Sequence, residues 1–204
     1  MIAANLDGSA DDEVVADFGA AGLWQWNSGS WSQLSGADAD AVIAGDIDGN
    51  GLQEVIGDFG GLGLWLKTAM GWVGASSADA DFMVAADLNG GGTEEILAAF
   101  GALGTWQGTI YVWTKLSPAD GSDMARANTD GNNDQEVAVD FGALGLWLRN
   151  GTQWSQLSSQ NPESITAGDL DADGADELAV DFGSLGLWLW NAGAWTRISV
   201  LNPD

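Results

Sequence analysis

Five short stretches of this chain place oxygen-bearing side chains at alternate positions, and that spacing is suited to gripping a cation. In one stretch Asp46, Asp48 and Asn50 alternate, followed by Leu52 and Glu54. In another Asp169, Asp171 and Asp173 alternate before Ala175 and Glu177. Two more read Asn5, Asp7, Ser9, Asp11, Glu13 and Asn128, Asp130, Asn132, Asp134, Glu136. Oxygens from side chains at loop positions 1, 3 and 5, a backbone carbonyl at 7 and a carboxylate at 9 can wrap a hard ion. Calcium fits best, because it accepts many oxygens in loose geometry where magnesium demands a strict octahedron. The fifth stretch is weaker. It reads Asp87, Asn89, Gly91, Thr93, Glu95, with a neutral group at position 3 and no side chain at 5. The expected order of affinity therefore puts loops two and five first, one and four next, and three last. Asp, Asn and Gly also make ordinary turns. A turn alone, however, does not require carboxylates at 1, 3 and 9 together.

The elements that position these loops follow from a strict period. Phe-Gly recurs at Phe18, Phe59, Phe100, Phe141 and Phe182, each step being 41 residues. Trp24, Trp65, Trp106, Trp147 and Trp188 keep the same step, as do Trp31, Trp72, Trp113, Trp154 and Trp195. So do Glu13, Glu54, Glu95, Glu136 and Glu177. Five units account for the 204 residues with one position short, so the chain reads as a whole number of repeats in one phase. Within a unit, apolar runs at 41–44, 54–59, 63–66 and 71–75 are separated by turn residues, and no stretch keeps helical periodicity. Four short strands in a unit of this size make a propeller blade. The expected fold is all-β: a closed five-bladed β-propeller forming one domain over 1–204. Its blades span about 1–41, 42–82, 83–123, 124–164 and 165–204. The acidic loop then lies on the first hairpin of each blade. It is not an EF-hand, because loop position 12 is Gly57 or Val180 inside a strand.

The periodic Phe and Trp are expected to pack blade against blade, and loss of Trp65 to unfold the protein. Trp26 and Trp190 stand outside the pattern. Their counterparts are Lys67, Gly108 and Arg149, a variety that suggests an exposed position, so these two are the candidates for ligand contact. Asp17, Asp58, Asp140 and Asp181 precede Phe-Gly, with Ala99 in the third unit. They are expected to accept hydrogen bonds from the Gly-x-x-Gly turn or from a Trp indole.

Composition narrows the function. Asp and Glu total 30 against 5 Lys and Arg, giving a net charge of −25. Nucleic acid and anionic membranes are poor partners for such a surface. With no His and no Cys, the commonest general base and the thiol nucleophile are missing. The carboxylates repeat in every unit, whereas a catalytic pair would occur once, so no enzyme activity is expected.

The D-x-D-x-N/D-G-x-x-E loop leading into an apolar strand resembles the FG-GAP/VCBS repeat of integrin-α-type propellers, across all five units. That resemblance implies calcium in each first hairpin and an adhesive or lectin-like role outside the cell or on its surface. The chain departs from the family in having Glu at loop position 9 and Phe-Gly after the second strand. Two functions fit. One is a calcium-stabilised monomeric module binding carbohydrate or a protein surface, with Trp faces stacking on sugars. The other is a repeat scaffold, structural or engineered, that binds nothing beyond ions.

Overall fold

The structure is a computed structural model that describes residues 1–132 and 134–203. Every unit forms one four-stranded antiparallel sheet with its strands side by side in chain order. Sheet one holds β1 (Ile2–Ala4), β2 (Glu13–Asp17), β3 (Leu23–Asn27) and β4 (Ser30–Ser35). Sheet two holds β5 (Ala41–Gly45), β6 (Glu54–Asp58), β7 (Leu64–Thr68) and β8 (Gly71–Ser76). Sheet three holds β9 (Phe82–Ala86), β10 (Glu95–Ala99), β11 (Thr105–Gly108) and β12 (Trp113–Ser117). Sheet four holds β13 (Asp123–Ala127), β14 (Glu136–Asp140), β15 (Leu146–Asn150) and β16 (Gln153–Ser158). Sheet five holds β17 (Ser164–Gly168), β18 (Glu177–Asp181), β19 (Leu187–Asn191) and β20 (Ala194–Arg197). The architecture is all-β and propeller-like. The residues expected to end one blade, at Ala41 and Phe82, instead open the next sheet, because both pair in its first strand.

The second strand of each sheet is the core strand. All of β6 is buried. Successive side chains of a strand point to opposite faces. Val55 accordingly joins the core shared with sheet one, and Ile56 the core shared with sheet three. A short 3-10 turn follows, Gly60–Leu62 in sheet two. Gly63 ends it at φ +76°, where a Cβ would stand 2.2 Å from the Ser76 carbonyl oxygen. Only glycine fits there. Asp58 accepts the Gly60 amide at 3.1 Å, and Asp17, Asp140 and Asp181 repeat the contact. These acids therefore hold the turn. The nearby indoles donate elsewhere: Trp65 to the Leu62 carbonyl at 2.9 Å.

The sheets stack in series. Each consecutive pair shares one apolar cluster, and each cluster from the second sheet onward includes the Phe of the later sheet: Phe59, Phe100, Phe141 and Phe182. That Phe packs against the fourth-strand Trp of its own sheet, as Phe100 does on Trp113 at 5.5 Å between ring centres. The indole then reaches across: Trp72 donates to the Leu34 carbonyl, Trp113 to Ala75 and Trp195 to Leu157. Trp72, Trp106, Trp113, Trp147, Trp154, Trp188 and Trp195 thus do pack between sheets, but they remain partly exposed rather than fully enclosed. Trp65, in β7, is half-buried and lines a groove with Phe59, Leu62 and Trp72.

A backbone clamp marks every junction. The residue at loop position 8 donates its amide to the position 1 carbonyl of the preceding loop, and its side-chain oxygen accepts the position 1 amide in return. Gln53 does this with Asn5, Glu94 with Asp46, Gln135 with Asp87 and Asp176 with Asn128. Among the described residues no apolar cluster or clamp joins sheet five to sheet one. The four junctions between consecutive sheets repeat one geometry, and the first strands of sheets one to four line a common space, with Ile2 and Ala3 on one side and Arg126 on the other.

Candidate metal centres

The acidic loops all sit between the first and second strands, at one end of the stack. The Glu at position 9 opens the second strand and is buried in all five sheets. One of its oxygens accepts the amide of loop position 2: Leu6 onto Glu13, Ile47 onto Glu54, Leu88 onto Glu95, Thr129 onto Glu136 and Leu170 onto Glu177. Its role is thus fixed by β-strand placement, with one oxygen holding the loop and the other turned to the loop interior, unpartnered in Glu136 and Glu177.

In three loops the carboxylates converge. Oxygens of Asp46, Asp48 and Glu54 lie within 4.8 Å of one another, as do those of Asp130, Asp134 and Glu136 and those of Asp169, Asp171 and Glu177. Loop four therefore joins loops two and five, one rank above its expected place. Its position 7 residue is Asp134, which contributes a carboxylate where the expectation used only a carbonyl. Loops one and three form no such triad among the described residues. In loop three the Asn89 amide donates to the second oxygen of Glu95, so a neutral group fills the place of an ion. Loop one has Asp7, Asp11 and Glu13, and Asp7 accepts the Ser9 amide and the Asn27 side chain just as Asp130 and Asp171 accept their counterparts in loops four and five. Those hydrogen bonds hold the pKa of Asp7 below the usual carboxylate value.

The donor set fits a hard cation. Oε1 of Glu136 and Oε1 of Glu177 are buried and have no hydrogen-bond partner, although each glutamate is sealed from solvent. A buried carboxylate oxygen left unpaired is costly unless a cation or proton satisfies it. Burial pushes the pKa of Glu54, Glu95 and Glu136 up, and neighbouring acids such as Asp48, Asp87 and Asp130 push the same way. Asn50, Asn132 and Asp173 use a side-chain oxygen to accept the amide two residues on, which curls the loop. Side chains at position 7 lean on the neighbouring loop: Leu52 approaches Gly8, Thr93 approaches Gly49 and Ala175 approaches Gly131. Only the carbonyls of Leu52, Thr93 and Ala175 are left to serve as ligands.

The two unusual Trp divide. Trp190 is only 8% exposed and belongs to the core between sheets four and five, which overturns its expected surface position. Trp26 is 38% exposed. This third-strand site pairs across to the fourth-strand Trp, as Lys67 with Trp72 and Trp190 with Trp195. Arg149 lies over the Trp154 ring at 5.4 Å, and the ring of Trp113 fills the space above Gly108. In sheets two to five a neighbouring indole covers the site, so its variety does not mark exposure there, while Trp26 in sheet one stays exposed.

The more accessible aromatic surfaces are the grooves at the turn end of the junctions. Ser35 and Ala37 of sheet one face Phe59, Leu62, Trp65 and Trp72 of sheet two. Leu157, Ser158 and Gln160 of sheet four face Phe182, Leu185, Trp188 and Trp195 of sheet five. Their Trp belong to the strict period, which marked them as packing residues and hid their open faces.

No family model matches the chain, and no curated protein matches it. Solved structures do. BBS1N, in complex with ARL6DN, aligns over 96% of this chain and 66% of its own at a TM-score of 0.66 and 9% identity. An ancestral GH74 enzyme aligns over 98% of this chain and 34% of its own at 0.64 and 16% identity. The V. cholerae biofilm matrix protein Bap1 aligns over 96% and 37% at 0.55 and 20% identity. The chain thus spans about a third of the last two proteins. At these identities the likeness is one of fold alone.

Proposed function

We propose that this chain is a calcium-stabilised, propeller-type binding module whose ligands are carbohydrates held in the grooves between blades. The observation that carries the calcium part is the pair of unpaired buried oxygens, on Glu136 and Glu177, each directed into a cluster of further carboxylates. The ion fixes the first hairpin of its blade, and the clamps transmit that order to the next loop. The FG-GAP/VCBS resemblance and an extracellular setting go with this reading. The carbohydrate part rests on the partly exposed faces of Trp65 and Trp188 beside Ser35, Ser158 and Gln160. An indole face stacks on a sugar ring while hydroxyls and amides bind its hydroxyls. Repetition along the stack supplies avidity.

The test is a glycan array with calcium present, followed by titration of any hit. Trp188→Ala and Trp65→Ala should each weaken binding at least about tenfold, the effect of about 1.4 kcal/mol. Trp26→Ala should leave it unchanged. A blank array would replace the carbohydrate reading with a repeat scaffold that binds only ions.

A further inference from the structure

We propose that the outer faces of sheets one and five are the two halves of one more inter-sheet junction, and that they join head to tail with a second copy of this chain. The four internal junctions define what each half must carry. The later sheet offers its Phe, its fourth-strand Trp and a position 8 side chain. The earlier sheet offers the position 1 amide and carbonyl at all four, and an apolar residue at position 2 at three (Leu6, Ile47 and Leu88, with Thr129 at the fourth). It also offers a fourth-strand carbonyl for the indoles of Trp72, Trp113 and Trp195.

Sheet one carries the first set, uncovered. Phe18 is 54% exposed, whereas Phe100, Phe141 and Phe182 are buried. Trp31 is 44% exposed, whereas its counterparts Trp72, Trp113, Trp154 and Trp195 are half-buried. Phe18, Trp26 and Trp31 form one exposed aromatic patch, with ring centres 5.3 and 5.4 Å apart. Asp12 stands at position 8, exposed and without a clamp partner among the described residues. An Asp is competent there, since Asp176 makes the same clamp on Asn128.

Sheet five carries the second set, also uncovered. Leu170 at loop position 2 is exposed, although its counterparts Ile47 and Leu88 are buried. Leu187 and Leu189 are half-buried, where Leu64 and Leu66 are sealed. Ile198, the counterpart of Leu34, is 51% exposed and offers the position that accepts an indole elsewhere. The two faces therefore match as the internal junctions do. A sugar would use the aromatic patch but leave Asp12, Leu170 and Ile198 unexplained.

The contact is heterologous, so each copy keeps one free face until a ring closes or a row grows. With a net charge of −25 per copy, association should strengthen with ionic strength. The experiment is light scattering on the full chain in calcium and moderate salt. Wild type should give masses above one chain that rise with concentration. Phe18→Asp and Ile198→Asp should each hold the protein at the mass of one chain, with unchanged circular dichroism, because each spoils one face. An equal mixture of the two variants should recover a particle of about twice that mass, since each retains the face the other has lost. Two results would overturn the proposal: a wild type that stays a single chain at every concentration, whether open or closed on itself, or variants that associate as the wild type does.

Discussion

At the residue scale, position 9 decides the chemistry of each loop. A glutamate sealed in the sheet has one oxygen occupied by the loop's own amide, so the remaining oxygen must find a cation, an amide or a proton. Loops four and five leave it unpaired, and loop three gives it Asn89. Removing calcium with a chelator should therefore lower the melting temperature by several degrees. A ligand present at a hundred times its Kd is worth about 2.7 kcal/mol. Asp48→Ala and Asp171→Ala should each shrink that response, while Asp87→Ala should leave it intact; calorimetry with and without chelator reads all three. Asp58 gives a separate pH effect. Burial, with Asp79 and Asp40 adding repulsion, pushes its pKa up to about 6. A carboxyl that holds its proton more tightly when folded favours the folded state below the ordinary value of 3.8, and that favour is lost as pH rises through about 6. In chelator, stability from denaturant titrations should fall between about pH 4 and pH 6 by roughly 2–3 kcal/mol on this account, at 1.36 kcal/mol per pKa unit. Asp58→Asn should flatten that slope. A slope identical in Asp58→Asn would assign the pH response to other acids. The ligand spacing at positions 1, 3 and 9 could be read directly from sequence. The difference between loops one and four could not, because Asp11 and Asp134 share position 7 and the Asp7 and Asp130 contacts are alike, yet only Asp134 joins a triad.

At the scale of the sheet, strand positions were legible to within a residue or two. Apolar runs bounded by glycine leave little freedom, and the run at 41–44 became β5 with one residue added. What the sequence hid was the junction. The position 8 residues are Asp12, Gln53, Glu94, Gln135 and Asp176, which look like solvated polar side chains until a neighbouring loop is placed beside them. What unites them is only a side-chain oxygen acceptor, one methylene nearer the backbone in Asp12 and Asp176 than in Gln53, Glu94 and Gln135. Gln53→Ala should thus remove the acceptor for the half-buried Asn5 amide and cost about 1 kcal/mol, the net worth of such a hydrogen bond. Gln53→Glu should cost less, because Glu94 fills the same role one junction along. Thermal melts of the two variants make the comparison, and equal losses would reduce the clamp to a packing contact. Trp190 was misplaced for the same reason. Variety among Trp, Lys, Gly and Arg at one site resembles exposure in sequence, but cross-strand cover by the fourth-strand Trp produces it as well.

At the scale of the whole molecule, repetition fixes the neighbours of each sheet but not the number of sheets needed to return to the start. A repeat stack gains stability from its units and from the junctions between them, so an end unit has one junction where an inner unit has two. The junctions are also unequal. The cluster between sheets one and two has Val15, Leu23 and Val55 as its buried members. Those farther along have eight or nine, as between sheets two and three with Ile56, Leu64, Leu66, Met83 and Phe100 among them. Sheet five is also terminal, but it is tied to sheet four by Leu178, Val180, Phe182 and Trp190. Sheet one should therefore open first. In dilute solution, amides of β2 should exchange at least about tenfold faster than those of β6, β10 and β14, for a difference of about 1.4 kcal/mol. Those of β18 should lie between. At concentrations where two copies join, Phe18 and Trp31 become covered and β2 should slow toward β18. A closed single-chain ring would give five second strands of nearly equal protection at every concentration. Concentration-independent, uniform exchange would therefore rule out both the open stack and its association.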